Sequence, residues 1–120
     1  MKITSFSPLI VSKEAASIMQ LFEDLGFEKS HQQTELLETG LGDVTMKDAA
    51  GNRIDVANAT VLPRDLTLIR MNVDDFDEAF ALLTARGFQQ QGQTVETPSS
   101  KSAMMVSPSG FGFDLCQHIK

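Results

Sequence analysis

The sequence has no tryptophan and no tyrosine, a single cysteine and only two histidines in 120 residues. The lone thiol, Cys116, excludes an internal disulfide and any zinc site built from cysteine alone. With only His31 and His118, an imidazole-based metal or catalytic centre has to use one or both. Basic residues are also scarce: 10 Lys and Arg stand against 16 Asp and Glu, a formal net charge of −6. A nucleic-acid role is disfavoured, because phosphate neutralisation asks for a basic face. Charges interrupt every apolar stretch well before the ~20 residues of a membrane span. The segment Met1-Lys2-Ile3-Thr4-Ser5 lacks the long apolar run and small-residue cleavage site of a secretory leader. A cytoplasmic protein, bound to neither membrane nor nucleic acid, is expected. What remains is an ordinary globular composition, 42% apolar and 22% charged, with eight Phe as the aromatic complement. The length suits one domain.

The chain reads as two similar halves. Ile3 to Val11 is extended and rich in β-branched residues. Ser12 is placed to cap a helix, with Glu14 in its positive first turn. Ile18, Leu21, Phe22 and Leu25 form its apolar stripe, and Gly26 ends it with Phe27 folding back. Extended segments follow over Glu28–Gln33, Gly42–Lys47 and Arg53–Ala57, the last two joined by a turn at Ala49-Ala50-Gly51-Asn52. In the second half, Leu66–Val73 is extended. Asp74 or Asp75 caps a helix with the stripe Phe76, Ala79, Phe80 and Leu83, and Gly87 and Phe88 close it. Strands are expected over Gln89–Thr94, Ala103–Val106 and Phe111–Gln117, with Ser107-Pro108-Ser109-Gly110 as the turn. Ser99-Ser100-Lys101-Ser102 reads as a loop at a cavity mouth. Residues 58–64, with Pro63, link the halves.

Three signals repeat in order: Val11-Ser12 with Val73-Asp74, Leu25-Gly26-Phe27 with Arg86-Gly87-Phe88, and the stretch from Gly51 to Val56 with that from Gly110 to Leu115. These residues define two βαβββ modules, about residues 1–60 and 61–120. Together with Leu9-Ile10-Val11-Ser12-Lys13-Glu14-Ala15-Ala16, they resemble the vicinal oxygen chelate superfamily of glyoxalases, bleomycin-resistance proteins and extradiol dioxygenases. The resemblance covers nearly the whole chain. It implies an α+β fold in which cupped mixed sheets surround a cavity, helices lie on the outer face, and two copies form a homodimer.

Strand alternation assigns the faces. Ser7, Leu9 and Val11 are expected under the first helix, leaving Phe6, Pro8 and Ile10 for the cavity. By the same rule Leu68, Arg70 and Asn72, then Arg53 and Asp55, then Asp114 and Cys116, face inward. A one-residue slip would invert any of these sets. Of Met104 and Met105, one should face the cavity and one the helix, and either offers an adaptable apolar wall. The resemblance places the metal-ligand positions of metal-dependent members at Phe6, Asp55, Leu68 and Asp114. Phe6 and Leu68 carry no ligating atom, so no metal and no cofactor are expected. Asp114, Cys116 and His118 share one strand face at alternate positions, but His118 reads more simply as a chain-end residue and His31 as a solvated one. Arg70 and Asn72 suit an anionic or carbonyl-bearing ligand. Alternatively, the two arginines, Arg70 and Arg53, simply neutralise the two carboxylates, Asp55 and Asp114.

The function expected is small-molecule binding by a glyoxalase/bleomycin-resistance-type protein without the usual metal ligands. The alternative is a metal-dependent or metal-free lyase, isomerase or dioxygenase with a degenerate site, with Asp55 or Asp114 as base.

Overall fold

The structure, a computed structural model, describes residues 1–33, 42–59 and 64–118. In chain order the elements are β1 (Ile3–Ser12), α1 (Ala15–Asp24), β2 (Glu28–Gln33), β3 (Gly42–Lys47), β4 (Arg53–Asn58), β5 (Leu66–Val73), α2 (Phe76–Ala85), β6 (Gln89–Thr97), β7 (Ser100–Val106) and β8 (Gly112–His118). The hydrogen-bonded strand order is β2-β3-β4-β1-β5-β8-β7-β6, an open mixed sheet. With the two helices of the described residues this is the α+β class expected. β1 runs parallel to β4, and β5 parallel to β8. The chain forms two compact units, Pro8–Thr67 and Met1–Ser7 with Leu68–Lys120, so β1 contributes to both. Most of the expected linker, residues 60–63, lies outside the described residues. Among those described, no helix is long and apolar enough to cross a membrane.

In the unit Pro8–Thr67, α1 packs Ala15, Ile18, Met19 and Phe22 on Val44, Met46, Ile54 and Val56. That arc has helical spacing. Leu21 and Leu25, expected in the stripe, lie one step round the helix and are 53% and 63% exposed; Met19 takes their share. The expected cap also differs. The N-cap is Glu14, which makes no side-chain cap bond. The Ser12 hydroxyl instead accepts from Glu14 N at 2.9 Å and donates to Asp65 at 2.7 Å. Ser12 thus closes the turn ahead of the helix. The helix ends as expected: Gly26 has φ +104°, Phe27 N donates to Phe22 O at 2.9 Å, and the two Phe rings meet edge to face at 5.4 Å. The β3–β4 turn is built on Asp48. Its carboxylate accepts from Ala50 N, Asn52 N and Asn52 Nδ2, and the Asn52 bonds hold it below its ordinary pKa.

In the other unit, Asp75 is the cap, accepting from Glu78 N at 3.0 Å. Asp74 accepts instead from Lys2 N. A second N-terminal donor of α2, Phe76 N, is taken by Gln117 of β8 at 2.7 Å. Phe76, Ala79 and Leu83 bury against Met71, Val73, Ala103, Met105 and Leu115, with Phe80, Phe88 and Phe113 at the margin. Each of the larger side chains, Phe, Leu, Met or Val, contributes about 1.5–3 kcal/mol when fully buried. The β6–β7 hairpin is longer than expected. Thr97 pairs with Ser100, and their hydroxyls bond at 2.9 Å. The Ser99–Ser102 segment is therefore mostly strand, and only Pro98-Ser99 turns. Cross-strand pairing overrides the local loop composition there. The β7–β8 turn repeats the Asp48 device with Ser107, whose Oγ accepts from Gly110 N and Phe111 N.

Both helix-closing glycines hold positive φ, which costs an L side chain roughly 1 kcal/mol or more. A Cβ on Gly87 also meets Pro108 Cγ at 3.0 Å, whereas one on Gly26 meets nothing within 4 Å. Urea unfolding should show Gly87→Ala more destabilised than Gly26→Ala, with both below wild type. Asp48 gives a pH signature. A depressed folded pKa stabilises above the ordinary 3.8 and is lost as pH falls through the folded value. Asp48→Ala should unfold at lower urea than wild type at pH 7, and the gap should close on acidification.

Candidate functional site

In the unit containing α2, the sheet face away from the helix carries the polar candidates. Met71, Val73, Met105 and Leu115 fill the core beneath α2. Alternation then turns Leu68, Arg70, Asn72, Met104, Asp114 and Cys116 to the opposite face. The register sets Arg70 beside Asp114 and Asn72 beside Cys116, and Met104 flanks Asp114 from β7. Of the two expected methionines, Met105 is therefore core and Met104, half-buried, is on the polar face.

Arg70 Nε donates to Asp114 Oδ2 at 2.9 Å, with the two side chains 12% and 19% exposed. The Cys116 thiol donates to Asp114 Oδ1 at 3.6 Å. Asn72 Nδ2 donates to Ser5 Oγ. Leu68 is buried and leans on Gly112, where a Cβ would lie 2.6 Å from its δ2 methyl. That close approach is why β8 begins with glycine.

The unit Pro8–Thr67 carries its own acidic residue. Asp55 is fully buried, between Leu9 of β1 and Thr45 of β3. Arg53, two residues back on the same strand and so on the same face, reaches it with Nε–Oδ1 3.1 Å and Nη2–Oδ2 3.2 Å. Each candidate Asp thus has its own arginine. This is the neutralising arrangement weighed against ligand contact from the sequence.

The expected faces of β1 are reversed. Ile10 pairs with Val56 and packs in the core cluster under α1, not toward the face of Asp55. Leu9, paired with Asp55, takes that face. At the other end of the strand the Ser5 hydroxyl meets the Asn72 amide. Odd-numbered β1 residues therefore share the polar face, and Phe6, 56% exposed, points the other way. Ser5 and Ser7 are the β1 residues that sequence reasoning missed. The signal was present. Both helices, counted back from Gly26 and Gly87, have the same offset to the preceding strand end only if Ser12 matches Val73. On that alignment Ser7, 2% exposed, matches Leu68 and takes the position assigned to Phe6.

These side chains do not fit a divalent metal. Leu68 has no lone pair, both Asp55 oxygens accept from Arg53, and the Asp114 oxygens accept from Arg70 and Cys116. At either carboxylate a cation would have to displace guanidinium. Among the described residues no group of three or more His, Cys, Asp or Glu converges for a metal. His118 ends β8, exposed, and does not join Asp114 and Cys116 in such a group. The side chain of His31 is outside those described.

No protein-family model and no curated protein matches this sequence. Solved structures do. Methylmalonyl-CoA epimerase from Mycobacterium tuberculosis superposes with a TM-score of 0.70 at 12% identity, over 96% of this chain and 88% of that one. A glyoxalase/bleomycin resistance protein/dioxygenase superfamily member from Vibrio splendidus 12B01 gives 0.63 at 17% identity, over 97% and 99%. A variant of the Streptomyces coelicolor methylmalonyl-CoA epimerase, in complex with 2-nitronate-propionyl-CoA, gives 0.68 at 14% identity, over 97% and 98%. The chain has the vicinal oxygen chelate fold.

Removing Arg53 leaves a buried carboxylate without its bidentate partner. Arg53→Met should cost about 3 kcal/mol of stability. The double variant Arg53→Met, Asp55→Leu should recover part of that loss in chemical denaturation, because no unpaired charge is left.

Proposed function

We propose that this chain binds a small organic anion or carbonyl compound on the β5–β8–β7 face, anchored by Arg70, and that no metal ion takes part. The observation that carries this reading is the side-chain set on that face. A guanidinium and an amide stand beside a half-buried Met104, while Leu68, which has no ligating atom, lies on the same face. Guanidinium offers a planar fork of donors that matches a carboxylate or an acyl oxygen, and Met supplies a deformable apolar wall. The fold also supports it, since one structural neighbour holds an acyl-CoA analogue. Asp55 and Ile10 fall outside this site. Asp55 is bound to Arg53, and Ile10 is in the core of the other unit.

The reading includes a homodimer, in which a second copy would cover exposed edge strands such as β6. It also includes a cytoplasmic location, which suits a Cys116 thiol held outside any disulfide. A second reading, an isomerase moving a proton next to a thioester carbonyl, is favoured by the epimerase neighbours. Against it, Asp114 Oδ2 already accepts from Arg70 and Oδ1 from the Cys116 thiol.

Thermal-shift screening of carboxylates and acyl-CoA thioesters should find stabilising compounds, by about 2.7 kcal/mol at 100 times Kd. Arg70→Ala should abolish the shift. Unchanged affinity in a folded Arg70→Ala protein would overturn the anchor. Deuterium incorporation into methylmalonyl-CoA above the buffer rate, lost in Asp114→Asn, would establish the isomerase instead.

A further inference from the structure

Asn72 is 7% exposed, and its Nδ2 donates to Ser5. Its Oδ1 is buried and has no hydrogen-bond partner among the described residues. Such an atom is uncommon, because the lost hydration of a carbonyl is not repaid by packing. The orphan lies on the ligand face. Asn72 pairs with Cys116 and stands one alternation from Arg70, which pairs with Asp114. Alternate residues of a strand are about 6.6 Å apart, and the long Arg70 side chain and the short Asn72 amide can meet one small molecule. Their chemistry is complementary: a guanidinium only donates, and an amide oxygen only accepts.

We infer that Asn72 is a specificity residue selecting 2-hydroxycarboxylates, with the carboxylate on Arg70 and the adjacent hydroxyl donating to Asn72 Oδ1. This rests on the anchoring role proposed for Arg70. A carboxylate without the hydroxyl leaves Oδ1 unpaired, and a 2-oxo acid opposes two acceptors. Sites built to bond a hydroxyl discriminate strongly against analogues that lack it. The six-carbon chain of the probes below suits the apolar Met104 and Leu68.

The test is calorimetric titration of the wild-type protein with hexanoate, 2-hydroxyhexanoate and 2-oxohexanoate. The hydroxy acid should bind about tenfold tighter than hexanoate (about 1.4 kcal/mol), and the oxo acid no tighter than hexanoate. Asn72→Leu should bring the hydroxy acid and hexanoate to equal affinity. Ser5→Ala, which leaves Oδ1 in place, should keep the preference. If hexanoate and 2-hydroxyhexanoate bind wild type equally, with binding lost in Arg70→Ala, the role of Asn72 falls and that of Arg70 stands. A preference for the oxo acid overturns it likewise. If none of the three binds, both fall.

Discussion

A carboxylate taken out of water needs a cation, and this chain meets that demand with arginine in both of its units. Desolvating an unpaired carboxylate costs several kcal/mol. Asp55, fully buried, is held by a two-pronged contact from Arg53 on its own strand, and Asp114 by Arg70 on the neighbouring strand. Strand geometry makes both pairs possible. Residues at i and i+2 share a face, as do residues in register on paired strands. Here the neutralising charge is covalently part of the chain.

The same constraint separates binding from catalysis. A carboxylate whose oxygens accept from guanidinium and thiol is poorly placed to take a proton from a substrate. The Arg70 guanidinium and the Asn72 amide stand on the same face. Likeness to epimerase structures at 12–19% identity shows a shared scaffold, and scaffolds of this kind host unrelated activities. Function has to come from the side chains on the face.

Local chemistry in the sequence carried the punctuation of the fold. Gly26 and Gly87 close the helices, Asp75 caps the second, and the Asp48 and Ser107 turns recur at matching places because each solves the same backbone problem. The faces of β5 and β8 were also legible, since Met71, Val73 and Leu115 alternate cleanly with Arg70, Asn72 and Asp114. β1 was not. Ser5-Phe6-Ser7-Pro8-Leu9-Ile10-Val11 offers an apolar residue to either side at its C-terminal end. Which side is core is decided by pairing with β4, where Ile10 meets Val56, a contact between distant parts of the sequence. Leu21 and Leu25 were misplaced for a related reason. A helix can meet the periodic stripe along more than one arc, and the sheet selects the arc of Ala15, Ile18, Met19 and Phe22. Ser12 looked like a cap because it precedes a helix, yet Asp65, far along the chain, claims its hydroxyl proton.

The holding of both carboxylates by arginine is tested most directly by calorimetric titration of the purified, metal-stripped protein with Mn2+, Co2+, Ni2+ and Zn2+. If Arg53 and Arg70 hold the two carboxylates, none of the four ions binds stoichiometrically at micromolar concentration. One-to-one micromolar binding of any of them, abolished by Asp114→Ala, would contradict it.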